Sequence, residues 1–321
     1  MSNTRPKVLA IIGRGRSGST ILDNILGEID GFFSAGELHN LWKRGLLRSH
    51  ACGCGKPLPT CPFWTEVFDL TRERLGHSLP SPEEVVRWQD SLVRPSRTRK
   101  LIKETSDEVS SPLSEYVALL ECVYGALAEV TGARVIVDSS KRPAHAALFH
   151  LPRHITPYFV QLVRDPRAVA YSRTRMKSDP DDRVMRRDGP FRSGLRWLER
   201  NREAEAVRRR HPGSSSMLVR YEDFVADPGS VVAGILKLVG EEDVEIPISK
   251  NREICLGENH TAAGNPSRFK RGHIKVRVDD EWVTKQKPGD RIVAAGLSLP
   301  LLGRYGYQLR VETKGTRPKG D

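Results

Sequence analysis

A short glycine-rich stretch near the start of the chain combines basic and hydroxyl side chains in a pattern suited to binding phosphate. It runs Gly13-Arg-Gly-Arg-Ser-Gly-Ser-Thr20. Arg14 and Arg16 supply positive charge, and three hydroxyl side chains supply hydrogen-bond donors. A loop of this kind ahead of a helix also directs free backbone N–H groups and the helix dipole at one anion. The stretch therefore predicts an anion-binding loop.

The spacing in this loop limits the choice of phosphate. Residues 13–20 nearly match the nucleoside-triphosphatase pattern G-x-x-x-x-G-K-[ST], but Ser19 stands where that pattern has lysine. That lysine normally reaches the β- and γ-phosphates, so its absence disfavours ATP or GTP. A P-loop kinase or other triphosphatase acting on a small molecule is the second hypothesis. Asp138, at the end of a predicted strand, would then be its magnesium ligand.

The elements around the loop alternate between buried strands and helices. Val8–Ile12 is a continuous apolar run, as expected of a strand covered on both faces, and apolar residues at helical spacing follow over 21–26. Further apolar runs end in polar or basic turns at 134–138, 158–163 and 217–221. This alternation predicts an α/β protein with a P-loop-like three-layer fold, in which helices flank a central parallel sheet.

The domain organisation expected from the sequence is one domain over residues 5–312 and a disordered tail over 313–321. Residues 43–111 are charged, contain several prolines and are at best mostly helical. We interpret them as an insertion on the side of the molecule where a second substrate, the acceptor, would bind. The charge-dense residues 173–189 resemble a mobile lid. Glu37 lies where a second predicted strand ends and a helix begins, at the edge of the sheet where open α/β sheets bind ligands.

The net charge of the chain is +12, which favours an anionic partner such as nucleic acid, an acidic membrane or a phosphorylated small molecule. Because we find neither a recognition helix nor an aromatic platform, we expect no nucleic-acid partner. No apolar run approaches the length of a membrane span, and no signal peptide precedes the first strand. The sequence predicts a cytoplasmic protein and leaves its oligomeric state open, with a homodimer as one option.

A loop rich in cysteine follows at residues 50–62. A zinc site formed by Cys52, Cys54, Cys61 and His50 is one interpretation, but C-x-C is not the usual spacing of a zinc finger. A structural loop with a redox-sensitive cysteine pair is the interpretation that we favour. The total of five cysteines in the chain does not suit a secreted disulfide framework.

Three motifs together resemble those of PAPS-dependent sulfotransferases, PAPS being 3′-phosphoadenosine-5′-phosphosulfate. The loop at 13–20 resembles the family's 5′-phosphosulfate loop, usually a basic residue followed by Ser-Gly-Thr-Thr. Leu162–Ser172, with a serine eight residues after an arginine, resembles the 3′-phosphate motif, and Leu218–Pro228 is similar to another stretch common in the family. Cys61-Pro-Phe-Trp64 and residues 264–269 resemble bacterial members especially.

The resemblance implies transfer of a sulfuryl group from PAPS to a hydroxyl, with the 3′,5′-bisphosphate PAP as product and no metal required. It assigns donor binding to Arg14, Gly15, Arg16, Ser17, Gly18, Ser19, Thr20, Arg164, Ser172, Tyr221 and Arg268. Arg16 replaces the lysine of many cytosolic members, as in the tyrosylprotein sulfotransferases, and Gly36-Glu37 matches the context of the glutamate base in that branch. Catalytic roles accordingly fall to Glu37, Arg16 and Lys141.

Two features of this assignment stay open. His39 is a rival general base, and the variants Glu37→Gln and His39→Ala would distinguish the two. The hydroxyl acceptor is a glycan, a lipid, a phenol or another small molecule, and the sequence does not choose among them. We expect the pKa of Glu37 to be raised, as the role of general base usually needs.

Overall fold

The computed structural model of the protein describes residues 5–105, 110–175, 188–211, 213 and 215–309. Its centre is a parallel sheet of five strands in the order β2–β3–β1–β4–β5. These strands are β1 (Lys7–Gly13), β2 (Phe32–Gly36), β3 (Val135–Asp138), β4 (Thr156–Val163) and β5 (Ser216–Arg220). A separate antiparallel pair consists of β6 (Glu253–Leu256) and β7 (Gly272–Lys275).

Helices follow most of these strands and cover both faces of the sheet. The α-helices of the described ranges are α1 (Ser19–Gly27), α2 (Pro62–Leu75), α3 (Pro82–Leu92), α4 (Thr98–Leu101), α5 (Ser111–Thr131), α6 (Pro143–Ala146), α7 (Pro166–Thr174), α8 (Pro190–Arg210), α9 (Tyr221–Ala226), α10 (Pro228–Val239), α11 (Trp282–Lys285) and α12 (Pro288–Leu302). Short 3₁₀ turns and one π-helical segment, Leu41–Leu46, connect them.

Strand β1 shows why the sheet is covered on both sides. Val8, Ala10 and Ile12 belong to one buried apolar cluster, whereas Leu9 and Ile11 belong to another. Because successive side chains of a strand point to opposite faces, a continuous apolar run fills two cores at once. The predicted α/β fold with a central parallel sheet and flanking helices is confirmed.

The elements with a clear local pattern lie where the sequence predicts them. Apolar residues at helical spacing predict a helix over 112–131, which is α5, and Gly132 ends it with a φ of 65°, the left-handed conformation that suits glycine after a helix. The same spacing predicts a helix over 228–239, which is α10. The sequence also predicts a helix near 280–286, and the helix found there is shorter, Trp282–Lys285.

The β6–β7 pair and helix α12 are not predicted from the sequence. In α12, apolar side chains face both inward and outward: Leu301 and Leu302 are buried, whereas Ile292 is 72% exposed. Pro300 also lies inside the helix. A helix with this mixture has no single apolar stripe, and periodicity does not reveal it.

The region interpreted as an acceptor-side insertion packs onto the rest of the molecule. Trp64 and Val67 of α2 share a buried cluster with Tyr116 and Leu120 of α5 and with Val8 of β1. Its role toward an acceptor stays a prediction. Most of the predicted lid, 176–187, and the predicted tail, 313–321, lie outside the described residues. No helix among the described ones is long and apolar enough to cross a membrane.

Candidate active site

The predicted anion-binding loop connects the central strand β1 to helix α1. Gly13 and Gly18 both have positive φ, 131° and 87° respectively, and α1 begins directly afterwards at Ser19. A Cβ atom on Gly13 would lie 2.6 Å from the carbonyl oxygen of Leu162, so glycine lets the loop leave the sheet against β4. The loop therefore presents the N-terminus of α1 at the carboxyl edge of the sheet, the arrangement that favours an anion.

Both predicted catalytic cations, Arg16 and Lys141, have unusual backbone conformations. Arg16 has a φ of 77° and Lys141 a φ of 60°. Only a few per cent of non-glycine residues adopt positive φ, and such residues concentrate at functional sites. Lys141 follows β3 and is held by a hydrogen bond from its N–H to the carbonyl oxygen of Ile11 in β1. Both cations are thereby fixed beside the ends of neighbouring strands.

Arg16 joins the two regions that were predicted to bind different phosphates. Its Nε donates a hydrogen bond of 3.0 Å to Ser172 Oγ. Arg164 Nη1 donates one of 3.2 Å to the Arg16 carbonyl oxygen. Burial lowers the pKa of Arg16 to about 10, helped by the nearby guanidinium groups of Arg173 and Arg175. The loop at 13–20 and the pair Arg164 and Ser172 thus form one continuous basic surface.

Tyr221 packs against both the glycine-rich loop and Arg164. Its ring packs so closely on Gly18 that a Cβ atom there would lie 2.6 Å from Tyr221 Cδ2. The guanidinium of Arg164 also stacks on the Tyr221 ring, 4.2 Å from the ring centre. A cation over an aromatic face is stabilised and oriented by the ring. Tyr221 therefore fixes the relative positions of the loop and Arg164.

Two carboxylates that the sequence analysis missed contact the predicted donor-binding arginines. Asp279 lies 3.2 Å from Arg164 and 2.6 Å from Arg175. Asp188 lies 3.2 Å from Arg14, so that side chain has a protein partner. Burial lowers the pKa of Arg14 to about 10, with Arg173 adding to the effect. Neither acid belongs to a local motif, and no pattern in the sequence would have identified them.

Positive charge exceeds negative charge around the loop. Its cations are Arg14, Arg16, Lys141, Arg164, Arg173 and Arg175, and the carboxylates paired with them are Glu37, Asp188, Asp279 and Glu281. Arg173 lies close to the loop, since a Cβ atom on Gly15 would be 3.3 Å from its Nη2. Burying guanidinium groups beside one another is unfavourable unless an anion joins them. The arrangement is suited to a strongly anionic ligand.

Glu37 and Lys141 form an ion pair between Oε1 and Nζ at the ends of β2 and β3. The other oxygen, Oε2, accepts a hydrogen bond of 2.6 Å from Asn40 Nδ2. Burial raises the pKa of the Glu37 carboxyl, but Lys141, Arg44 and Asn40 outweigh burial, so the net pKa lies below the usual value. The expectation of a raised pKa is therefore wrong, because the sequence does not reveal the ion pair with Lys141.

Residues 8–245, most of the chain, match the model of the Sulfotransferase family. The chain belongs to the sulfotransferase family. A search of curated protein sequences gives no match.

Solved sulfotransferase structures share the fold. The sulfotransferase domain of the Synechococcus PCC 7002 olefin synthase aligns with a TM-score of 0.51 and 20% identity, over 97% of this chain and 98% of that chain. The sulfotransferase domain from the curacin biosynthetic pathway aligns with a TM-score of 0.52 and 18% identity, over 96% of this chain and 100% of that chain. These similarities show that the chain has the same α/β fold as those two domains.

Within this sulfotransferase, the remaining predicted loop residues lie at the start of α1. Ser19 is buried and Thr20 half-buried in the first turn of that helix. Ser17 is buried, and its Oγ donates a hydrogen bond of 2.7 Å to the Arg14 carbonyl oxygen. The Ser17 side chain thus stabilises the turn itself, while Ser19 and Thr20 stand at the helix N-terminus.

The Arg268 guanidinium is held by backbone carbonyl groups and by an aromatic ring. Its guanidinium donates to the carbonyl oxygens of Ala51, at 2.6 Å, and Thr261, at 2.9 Å. It is 4% exposed and stacks on Phe269, 4.2 Å from the ring centre. These contacts favour a role in holding two loops together, and donor binding by Arg268 stays a prediction.

The residues on which the rival hypotheses depend are held in the interior. Asp138 is 1% exposed and accepts hydrogen bonds from the Tyr124 hydroxyl, at 2.7 Å, and the Ser140 N–H, at 2.8 Å. His39 is buried edge-on against His145, and burial lowers its pKa well below the usual value. Asp138 is thus an internal acceptor rather than an accessible magnesium ligand.

The cysteine-rich loop brings its three sulfur atoms together. Cys52, Cys54 and Cys61 surround a histidine, but it is His260 from the far end of the chain and not His50. The four ligand atoms all lie within 4.8 Å of one another. No spacing rule applied to the loop could have found this histidine.

Proposed function

We propose that this sulfotransferase transfers the sulfuryl group of PAPS to a hydroxyl acceptor, with Glu37 as general base. The observation that carries the proposal is the contact of Arg16 with both Arg164 and Ser172. This contact supports the proposal, because a nucleotide with anionic groups on both its 5′ and its 3′ positions would need two adjacent regions to bind them. ATP carries no 3′-phosphate and would leave the second region unused.

The 5′ side of the donor would be held by the glycine-rich loop. The backbone N–H groups of Gly15 and Gly18, the side chain of Arg16 and the hydroxyls of Ser19 and Thr20 are the groups that would bind it. A helix N-terminus and a cation together stabilise an anion without a metal ion. The 3′-phosphate would be bound by Arg164 and Ser172, with Tyr221 orienting the Arg164 guanidinium.

Sulfuryl transfer resembles phosphoryl transfer, in which the protein mainly positions the reactants and stabilises charge. The acceptor oxygen forms a bond to sulfur while the bond between sulfur and the bridging phosphate oxygen breaks. Glu37 takes the acceptor proton, and the electron pair of the broken bond leaves with PAP. Arg16 and Lys141 stabilise the negative charge that builds on that bridging oxygen.

The ion pair between Glu37 and Lys141 links donor binding to base activation. The ammonium of Lys141 holds the pKa of Glu37 low, which makes the carboxylate a weak base. When the anionic donor draws Lys141 toward the leaving group, Glu37 loses part of that stabilisation and its pKa rises. The carboxylate would then become a stronger base once the donor is in place.

The acceptor hydroxyl would approach from the side of residues 43–111, whose chemical preference the proposal leaves open. A cytoplasmic location stays a prediction as well. A P-loop kinase is disfavoured, since Ser19 replaces the lysine and Asp138 is occupied by internal donors.

Calorimetric titration of the full chain tests the proposal. The ligands are PAP, ATP with magnesium, and a DNA duplex, at equal salt. We expect PAP to bind at least tenfold more tightly than ATP, because only PAP can use Arg164 and Ser172. Tight binding of ATP with no preference for PAP would refute the proposal, and tight binding of the duplex alone would indicate a nucleic-acid-binding protein.

A further inference from the structure

A second cluster of chemically reactive side chains lies in the cysteine-rich loop. Cys52 Sγ and Cys61 Sγ each lie 3.5 Å from His260 Nδ1, and Cys54 Sγ lies 3.7 Å from Cys61 Sγ. Cys52 and Cys61 are fully buried. Within the described part of the chain, this is the group whose ligand atoms come close enough to share a metal ion.

These separations match the edges of a zinc tetrahedron. With Zn–S bonds of about 2.3 Å and Zn–N bonds of about 2.1 Å, tetrahedral geometry places two sulfur ligands about 3.8 Å apart and a sulfur and a nitrogen about 3.6 Å apart. We propose that Cys52, Cys54, Cys61 and His260 bind one structural zinc ion. Four protein ligands leave no open coordination position, so the site is structural rather than catalytic.

The two loops that carry the ligands are built to approach each other. A Cβ atom on Gly53 would lie 1.9 Å from Asn259 Oδ1, so only glycine fits between Cys52 and Cys54. The N–H of Gly53 donates to the carbonyl oxygen of Thr261 at 3.0 Å. Glycine at this position therefore serves the approach of His260 to the cysteines.

The imidazole of His260 is also held in place by its neighbours. The ring of Phe63 stacks on it with 4.6 Å between the ring centres. Trp64 Nε1 donates a hydrogen bond of 3.0 Å to the His260 carbonyl oxygen. Both aromatic residues directly follow Cys61 and Pro62, so one short stretch provides a ligand and the support for another.

The charge of the occupied site is balanced by the protein. Zinc binding releases three thiol protons to solvent, and Zn²⁺ with three thiolates carries a net charge of −1. Arg268 Nη2 donates to the carbonyl oxygen of Ala51 at 2.6 Å, and Arg271 Nη2 donates to that of Gly53 at 2.8 Å. Two guanidinium groups thus lie on the loop that would carry the negative charge.

The site would fix the backbone of the proposed catalytic base. The segment after His260 pairs with the end of β2: Ala262 N–H donates to the Ala35 carbonyl oxygen, and Glu37 N–H donates to that of Ala263. Zinc would clamp the cysteine loop to this segment. Loss of the metal should therefore loosen the segment that positions Glu37.

Metal analysis of the full chain tests this inference without any substrate. We expect the protein, purified in the presence of zinc chloride without chelator and then desalted, to retain one zinc per chain by mass spectrometry of the metal. Cys54→Ser, Cys61→Ser and His260→Ala should each lose at least tenfold in zinc content. Cys122→Ser and Cys255→Ser, whose cysteines lie outside the cluster, are the matched controls and should retain one zinc.

A second measurement on the unmutated chain covers the case in which variants fail to fold. The zinc-depleted protein titrated with cobalt chloride should develop the visible bands of a tetrahedral thiolate site, and its melting temperature should rise on adding one equivalent of zinc. A chain that holds no zinc and contains a Cys54–Cys61 disulfide, or that holds no zinc and has three free thiols, would overturn the inference. Because donor binding is measured separately, neither result depends on the proposed sulfotransfer chemistry.

Discussion

Replacing Glu37 by glutamine removes a carboxylate while keeping the shape of the side chain. The glutamine oxygen can still accept a hydrogen bond from Asn40 or from Lys141, but it cannot take the acceptor proton. Loss of general base catalysis usually lowers the rate by about 10²- to 10⁴-fold, or about 3 to 5 kcal/mol. We expect kcat of Glu37→Gln for transfer from labelled PAPS to fall by this factor.

The same substitution should have smaller effects on stability and on donor affinity. The side chains of Glu37 and Lys141 are 14% and 16% exposed, so Lys141 regains some hydration when its partner is lost. We expect the free energy of unfolding to fall by about 1 to 3 kcal/mol, as for a hydrogen bond to a charged group. PAP should bind as tightly as to the unmutated enzyme or more tightly, because Lys141 no longer has a competing anion.

The pH profile of the activity shows in which direction the ion pair with Lys141 shifts the pKa of Glu37. Glu37 acts as a base only when ionised, and its lowered pKa keeps it ionised below its ordinary value of about 4.3. We therefore expect kcat/KM for PAPS, which reports the enzyme before the donor binds, to show no acid limb caused by Glu37 between pH 5 and pH 8. Activity of Glu37→Gln within threefold of the unmutated enzyme would refute the assignment, above all if His39→Ala were inactive.

Three further substitutions address the donor site and the interior. Arg164→Lys keeps the charge but loses the guanidinium that bonds to the Arg16 carbonyl and to Asp279; PAP should bind about 10- to 100-fold more weakly by calorimetry, with 5′-AMP little changed. Gly18→Ala forces a positive φ and a contact with the Tyr221 ring, and should lower the free energy of unfolding in urea by about 2 to 5 kcal/mol. Asp23→Asn tests a buried carboxyl, because burial raises the pKa of Asp23 to about 7. Ionisation of Asp23 therefore lowers the stability of the folded state as the pH rises from about 4 to 7. In urea titrations between pH 4 and pH 8, the variant should gain up to about 4 kcal/mol in free energy of unfolding relative to the unmutated protein. An Asp23→Asn effect independent of pH, or equal losses of PAP and 5′-AMP affinity in Arg164→Lys, would contradict these assignments.

Short-range patterns carried most of what could be predicted. The apolar run of β1, the glycines of the following loop and the helical spacing of α1 lie within twenty residues of one another, and each constrains its neighbours directly. The order of strands in the sheet and the position of α12 depend on contacts between distant residues. Those contacts leave no local periodicity.

The residues of the candidate site also divide into those that belong to a local motif and those whose contacts come from distant parts of the chain. Arg16 and Glu37 can be proposed as site residues from the sequence because each belongs to a short motif. Asp279 and Asp188 were missed because each contacts an arginine more than a hundred residues away in the chain. The wrong expectation for the pKa of Glu37 has the same origin, since Lys141 lies 104 residues from it. Electrostatic partners of this kind become visible only when the strands are aligned in space.

The contact between Cys61 and His260 has a consequence for the way the chain is made. The two residues are separated by 199 positions. At a synthesis rate of roughly 5 to 20 residues per second, the ribosome adds His260 about 10 to 40 s after Cys61. During that interval the cysteine loop and the end of β2 have been synthesised without the segment that covers them. A nascent chain stalled before residue 257 should therefore expose three reactive thiols that the finished protein protects, and it would depend on a reducing environment until translation is complete.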